Sequence, residues 1–154
     1  PAVTMQVSEA IRSRRSIRAF SGRAVDPSVI KLLLDQAAWA PSGSNMQPWQ
    51  VHVATGDALQ RLRTAALAAF EADAIEPEWA YYPNPIPEPY LARRRACGFG
   101  LYGHLGIARG DHAARRQQHR RNYELFDAPV GLFFFMDARL ARGSWLDYGM
   151  FLQN

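Results

Sequence analysis

Apolar side chains recur at helical spacing in the region that follows Asp26. They form a stripe along one side of a predicted helix: Ile30, Leu33, Leu34, Ala37 and Ala38. Asp26 and Pro27 predict where this helix begins, because an acidic N-cap followed by proline at the first helical position is a common helix start. Pro41 predicts its end, since proline cannot continue the helical hydrogen bonding.

Similar patterns predict five further helices, at residues 3–14, from Asp57 onward, at 90–105, at 111–122 and from Ser144 onward. We expect Asp57 to cap its helix. Ser144 and Asp147 have the spacing of a capping box, which predicts that Ser144 opens the last helix. That helix reaches Asn154 without a glycine or proline to end it.

Two segments have the character of β-strands. Residues 49–54 alternate between apolar and polar positions, whereas residues 129–136 are continuously apolar, which is typical of a buried central strand. Five prolines between residues 77 and 89 predict an extended loop, and a loop of that length is usually functional. Since two strands alone form a marginal sheet, we expect this sequence to be the front part of a longer α+β protein, or to fold with a partner.

The composition is that of a globular protein. The chain has 154 residues, of which 48% are hydrophobic, so residues 1–154 are expected to form a single domain. No apolar run approaches the roughly 20 residues that span a bilayer, and the first residues do not resemble a secretory signal. The single cysteine, Cys97, favours a reducing compartment, and we expect a cytoplasmic protein without membrane partners.

The positive charge is concentrated in one part of the chain. The formal net charge is +4, and residues 93–121 hold eight arginines but a single acid, Asp111. This segment has two interpretations: a module that binds nucleic acid, or a solvated helical face that attracts anionic substrates. We expect the second, and therefore no nucleic-acid partner.

Residues 14–20 read RRSIRAF, a dense group of cations around one hydroxyl. The guanidiniums of Arg14, Arg15 and Arg18 offer forked donors, and Ser16 offers a hydroxyl. This set suits a phosphate, although a solvated arginine patch beside a helix C-terminus is the alternative.

Residues 40–49 read APSGSNMQPW and follow the end of a predicted helix. Pro41, Ser42 and Gly43 would allow close approach of the backbone to a ligand, and Gly43 permits a positive φ. The side-chain amide of Asn45 carries donors and an acceptor, which suits the polar edge of a planar heterocycle. An ordinary turn is the alternative, because these residue types are common in turns.

The two motifs in this order resemble the N-terminal half of the FMN-dependent nitroreductase family, and the later segments resemble its nitrobenzoate-reductase-like branch. The resemblance implies a central, mostly antiparallel sheet flanked by helices, in an intertwined homodimer with flavins at the interface. It also implies FMN-binding roles for Arg14, Arg15, Ser16 and Arg18, and for Pro41, Ser42, Gly43 and Asn45. In the family the first arginine and the serine hold the phosphate and ribityl chain. The cation at the position of Arg18 lies near flavin N1 and O2, where it stabilises the reduced flavin.

The activity that this resemblance implies is hydride transfer from NAD(P)H through FMN to a nitroaromatic or similarly electron-poor acceptor. A shared pocket implies ping-pong kinetics, and because the cofactor carries the chemistry we expect no catalytic side chain. Two alternatives within the family are a reductive dehalogenase or other FMN reductase, and a member that binds flavin without turnover.

Other patterns are given structural interpretations. Residues 98–103 match G-x-G-x-x-G, but no apolar strand precedes them, so we expect glycines that allow close packing or break a helix. The four histidines lack paired metal-ligand spacing, and no metal site is expected. Seven aromatic residues are predicted to lie in the core, or in dimer contacts for the last three: Trp49, Phe133, Phe134, Phe135, Trp145, Tyr148 and Phe151.

Overall fold

A computed structural model describes residues 5–154. In chain order the elements are α1 (Val7–Ser13), α2 (Pro27–Ala37), a short 3-10 turn (Gly43–Asn45), β1 (Gln50–Thr55), α3 (Gly56–Glu71), α4 (Tyr90–His104), α5 (His112–Arg120), a second 3-10 turn (Leu125–Asp127), β2 (Val130–Phe135) and α6 (Arg142–Gln153). The predicted α+β class is confirmed. The Pro-rich segment before α4 contains neither helix nor strand, as predicted.

The sheet is an antiparallel pair in which Val51 of β1 faces Phe134 of β2. Helix α3 leaves β1 without an intervening loop and packs back on the sheet through Leu59, which is 2% exposed. Gly131 of β2 lies directly under Leu59, because a Cβ built at Gly131 would lie 2.8 Å from Leu59 Cδ1. The absence of a side chain at this position therefore sets how closely the helix approaches the sheet.

A second hydrophobic cluster joins α2 and α6. Ala37, Ala40, Tyr148 and Phe151 are buried in it, and the ring of Trp49 stacks on Phe151 with centroids 5.0 Å apart. Trp49 therefore packs against the core, as predicted. The Tyr148 hydroxyl donates a hydrogen bond of 2.9 Å to the carbonyl of Gln50, so α6 is attached to the first residue of β1.

The prediction that residues 129–136 form a buried central strand is wrong in its burial. Phe134 and Phe135 are 39% and 54% exposed, although β2 forms as expected. A continuous apolar run indicates cover on both faces of a sheet, and the described sheet has one neighbouring strand and an incomplete cover.

Trp145 does not lie in the core, which was one of its two predicted positions, and its dimer contact stays a prediction. It is 54% exposed, whereas Tyr148 and Phe151 are buried. A helix turns by about 100° per residue. The step of six residues from Trp145 to Phe151 therefore places the two side chains about 120° apart around α6. Its ring packs instead against Trp79 of the Pro-rich segment, at 4.7 Å between centroids.

The predicted helix starts have mixed outcomes. Asp26 is the N-cap of α2, and its carboxylate accepts from the Ser28 amide at 2.8 Å. Asp57, in contrast, lies in the first turn of α3, whose cap position is Thr55. The capping box predicted at Ser144 is wrong, because α6 begins at Arg142. Ser144 and Asp147 lie inside the helix and are both buried.

Helix α1 begins at Val7 rather than at residue 3, and the predicted residues 3 and 4 lie outside the described part of the chain. Its apolar face is not covered: Val7 and Ile11 are 76% and 62% exposed.

The G-x-G-x-x-G match lies entirely inside α4. A dinucleotide turn requires a strand before the glycines, and here they continue a helix. The two structural roles predicted for them are wrong. Helix α4 is unbroken through His104, and a Cβ at Gly98, Gly100 or Gly103 would meet no heavy atom within 4 Å.

Candidate functional site

The first motif begins where α1 ends. The chain leaves the helix at Arg14, whose φ and ψ are −52° and 130°. Arg14 Nη1 lies 3.5 Å from the hydroxyl oxygen of Ser16 and donates to it, and Arg18 Nη1 donates to the Ser16 carbonyl at 3.4 Å. Two exposed guanidiniums therefore converge on Ser16.

Arg15 is placed differently. Its Nη1 donates to the carbonyls of Arg12 and Arg14, at 2.7 and 2.9 Å. These contacts satisfy acceptors at the C-terminus of α1, where a cation is also favoured by the helix dipole. The role of Arg15 as a phosphate contact remains a prediction, and it would require these bonds to be exchanged.

The donor set of the first motif fits a phosphate. Among the described residues, no carboxylate lies within ion-pair distance of Arg14, Arg15 or Arg18. Exposed guanidiniums without an anion, together with one hydroxyl, are the donors that a phosphate monoester takes up.

The second motif forms a tight loop that its own side chains stabilise. The Ser42 hydroxyl accepts from the Gln47 amide at 3.0 Å, and Asn45 Oδ1 accepts from Gln47 Nε2 at 3.1 Å. Both hydrogens of the Asn45 side-chain nitrogen stay available, because only its oxygen is used.

The left-handed residues of this loop are not the one that was predicted. Positive φ angles occur at Ser44 (51°), Asn45 (55°) and Gln47 (49°), and Gly43 is not among them. The expected positive φ at Gly43 is wrong, because the backbone enters the left-handed region one residue later, at Ser44. Asparagine tolerates the left-handed region better than most residues, which accounts for Asn45 at this position.

A residue that the sequence analysis missed holds the loop in place. Asp147 is 7% exposed, and its Oδ2 accepts from the Gly43 amide at 3.1 Å. An acid on the apolar side of α6 was the available signal, but its spacing from Ser144 was interpreted as a capping box. Asp147 therefore fixes the backbone at the start of the predicted flavin loop.

The two motifs are positioned by different parts of the fold. The first is attached near the second 3-10 turn, where the Phe20 amide donates to the Phe126 carbonyl at 3.3 Å, and the second is attached to α6. Within residues 5–154 no hydrogen bond joins residues 14–18 to residues 41–45. A ligand held by both motifs would bridge them.

The basic segment is not one continuous cationic face. Arg116 pairs with Asp73 at 3.1 Å, and Arg120 pairs with Glu71 at 2.9 Å, which joins α5 to the end of α3. Arg121 pairs with Glu124 and Asp127. Arg93, Arg94, Arg109 and Arg115 lie over aromatic rings. This arrangement does not favour a nucleic-acid surface, because several of the cations already have partners.

Residues 5–154 lack two further features. Within this range no group of three or more His, Cys, Asp or Glu side chains is placed to hold a metal ion. None of the helices described is long and apolar enough to cross a membrane.

Comparison with known proteins decides the family. A model described as the nitroreductase family matches residues 11–154. The chain belongs to the nitroreductase family. The resemblance found in the two motifs is thereby confirmed.

Individual members of the nitroreductase family show where this chain lies within it. It is 43% identical over 150 residues to a nitrobenzene nitroreductase of Ectopseudomonas oleovorans. The aligned region covers 96% of this chain and 66% of that relative. It is 39% identical over 144 residues to a 4-nitrobenzoate reductase of Pseudomonas putida, which covers 94% and 63%. The chain thus spans about two thirds of the length of these curated relatives.

A solved structure agrees with this placement. The crystal structure of the FMN and NADPH-dependent nitroreductase NfnB from sphigopyxis sp. strain HMH is similar with a TM-score of 0.92 and 41% sequence identity. The match covers 97% of this chain and 68% of that one. The nitroreductase fold is therefore shown for the described residues.

Proposed function

We propose that the full protein is an FMN-dependent oxidoreductase that passes hydride from NAD(P)H to a nitroaromatic acceptor. The observation that carries this proposal is the convergence of Arg14 and Arg18 on Ser16, where no carboxylate of residues 5–154 pairs with them. Support comes from similarity to proteins named nitrobenzene nitroreductase, 4-nitrobenzoate reductase and FMN and NADPH-dependent nitroreductase.

The first motif would hold the phosphate end of the cofactor. Arg14 and the Ser16 hydroxyl already lie together, so they are arranged to donate to one phosphate. Arg18 would place a fixed positive charge beside the pyrimidine edge of the ring system, where electron density increases on reduction. Arg15 would add a further donor if its bonds to α1 are exchanged.

The second motif would contact the ring system. Asn45 would donate through its side-chain amide, whose oxygen is already used within the loop. Ser42 and Gly43 hold the loop in shape through the Gln47 amide and Asp147, and Pro41 leads the chain away from the end of α2. The residues of this loop would therefore orient the cofactor by a preformed backbone.

Bound FMN would supply the hydride chemistry, accepting from the reduced nicotinamide and delivering to the acceptor in turn, which gives ping-pong kinetics. No side chain of this part of the chain is proposed as a proton donor. The residues bind and orient, and their positive charge favours the reduced form.

We further propose that residues 1–154 belong to a single FMN-binding domain, that the full protein is a homodimer, and that it acts in the cytoplasm. The dimer is supported by exposed apolar side chains on α1 and α6. Val7, Ile11 and Leu146 are 76%, 62% and 70% exposed, and apolar surface of this extent usually marks an interaction site.

The visible absorption spectrum of the purified full protein tests the proposal. We expect bound flavin, and anaerobic NADH or NADPH should bleach it, with reoxidation by nitrobenzene or 4-nitrobenzoate. A flavin that binds but is not bleached would identify a member without turnover. A colourless protein that FMN does not reconstitute would contradict the proposal.

A further inference from the structure

One face of α4 has an unusual composition. Its residues recur at the helical spacing that normally makes a core stripe, and they line one cavity: Leu91, Arg94, Arg95, Gly98, Phe99 and Tyr102. Arg115 of α5 borders the cavity on the other side, and the cavity, which is open to solvent, has a volume of about 260 Å³. Two cations and two aromatic rings on such a stripe are not explained by core packing.

Gly98 gives this cavity its space. A Cβ at Gly98 would meet no heavy atom within 4 Å, so packing does not require a glycine there. Glycine inside a helix destabilises it by about 1 kcal/mol relative to alanine. The glycine leaves open a volume that most side chains would fill.

The arginines around the cavity lack anionic partners. Within the described part of the chain, no carboxylate pairs with Arg94, Arg95 or Arg115, whereas the neighbouring Arg116 pairs with both Asp73 and Glu71. Arg115 Nε is shielded from solvent and has no hydrogen-bond acceptor. The guanidiniums beside the cavity are therefore not neutralised by a carboxylate of the described chain.

The rings provide apolar walls. The guanidinium of Arg115 lies 5.1 Å from the centroid of Tyr102, and Arg94 lies 4.9 Å from that of Tyr82. Phe99 remains 51% exposed. Guanidiniums beside aromatic faces suit a ligand that has both a ring and a negative charge.

We propose that the cavity between α4 and α5 binds a single-ring aromatic carboxylate. The volume of about 260 Å³ lies below the roughly 300–1,000 Å³ of sites for larger ligands, which favours one ring over a dinucleotide. None of the lining residues belongs to residues 14–18 or 41–45, so this inference does not rest on the proposed flavin function.

Calorimetric titration of the full protein with benzoate tests the proposal, with benzamide as the neutral probe of the same shape. We expect benzoate to bind at least tenfold more tightly than benzamide. Gly98→Leu should abolish the binding by filling the cavity. Gly100→Leu is the matched control, because Gly100 has the same free space on α4 but does not line the cavity.

The charge is tested by the double variant Arg95→Gln/Arg115→Gln, which should weaken benzoate binding at least tenfold. Arg61→Gln/Arg93→Gln removes the same net charge from positions outside the cavity and should leave the affinity within twofold. In the flavin-loaded protein, benzoate bound in this cavity should leave the visible spectrum unchanged.

Three results would overturn the proposal: equal binding of benzoate and benzamide, unchanged binding by Gly98→Leu, or equal loss in both leucine variants. A flavin spectrum that shifts in proportion to benzoate occupancy would also overturn it, by placing the ligand at the cofactor.

Discussion

The carboxylate of Asp147 accepts a hydrogen bond of 3.1 Å from the amide of Gly43, 104 positions earlier in the chain. The bond connects the middle of α6 to the first residue of the loop turn. Asp147 is 7% exposed, so water does not compete strongly for its carboxylate, although Gly43 itself lies at the surface. Helix α6 therefore controls the conformation of the loop that we propose for flavin binding.

Asp147→Ala should weaken FMN binding about tenfold. The substitution removes the hydrogen bond to the Gly43 amide. A hydrogen bond of this kind contributes about 0.5–1.5 kcal/mol, and about 1.4 kcal/mol corresponds to a tenfold change in affinity. Quenching of flavin fluorescence measures the dissociation constant. Asp147→Asn keeps an oxygen acceptor, so its affinity for FMN should lie between those of the wild type and Asp147→Ala. Wild-type affinity in Asp147→Ala would show that Asp147 does not hold the loop for FMN.

Arg14 and Arg15 should differ in their effect on the cofactor, although they are adjacent in sequence. Arg14 lies against Ser16, whereas Arg15 bonds to the end of α1. Arg14→Ala combined with Arg18→Ala should yield a folded protein without colour, and Arg15→Ala should retain most of the flavin. Circular dichroism checks folding and absorbance checks cofactor content.

The double variant at Arg14 and Arg18 would disprove the assignment of the phosphate site if it kept its full flavin content. A larger loss in Arg15→Ala than in Arg14→Ala would show that Arg15 exchanges its helix contacts for the phosphate.

Tyr148→Phe should lower the free energy of unfolding by about 0.5–1.5 kcal/mol near neutral pH, because it removes the hydrogen bond to Gln50. Burial raises the pKa of the Tyr148 hydroxyl above its ordinary value of 10.0. A raised pKa favours the neutral phenol in the folded state, so this stabilisation is complete below pH 10 and is lost as the pH rises through the folded pKa.

Urea unfolding of both proteins between pH 7 and pH 11 measures this effect, and the difference between them should shrink above pH 10. Tyr81→Phe is the control for loss of a tyrosine hydroxyl, because Tyr81 is 80% exposed and its substitution should change the free energy of unfolding at neutral pH by less than about 0.5 kcal/mol. A constant difference up to pH 11 would contradict the pKa direction.

Gly131→Ala should destabilise the fold by about 1–3 kcal/mol, because the added methyl group overpacks the contact with Leu59. Its Cβ would lie 2.8 Å from Leu59 Cδ1 and 2.9 Å from Phe133 Cε2. Gly149→Ala is the opposite control: it lies inside α6 with no atom within 4 Å. There alanine should stabilise by about 0.5–1 kcal/mol.

Thermal or urea unfolding measures both variants, and it should show a lower stability for Gly131→Ala and a higher stability for Gly149→Ala than for the wild type. Equal stability of Gly131→Ala and the wild type would show that Leu59 moves aside without cost.

Local chemistry explains why much of the fold was predictable. The start of α2 depends on Asp26 and Pro27, which act on their own neighbours, and it occurs where expected. The helix starts predicted at Asp57 and Ser144 were wrong, because each helix extends further toward its N-terminus. Helix α3 begins at Gly56 and α6 begins at Arg142. The exposure of Phe134 and Phe135 depends on which strands and helices cover the sheet, which the residues of β2 do not encode.

The order of the two motifs was enough to identify the family, and it selected the residues that we propose for a phosphate and a planar ring. Side-chain type and local spacing determine the two motifs, so the sequence alone is sufficient to find them. Only the tertiary structure decided that Arg15 faces α1, that Asp147 accepts a hydrogen bond from Gly43, and that the face of α4 borders an open cavity together with Arg115. Each of these contacts depends on orientation or on residues distant in sequence, and it forms when packing brings them together.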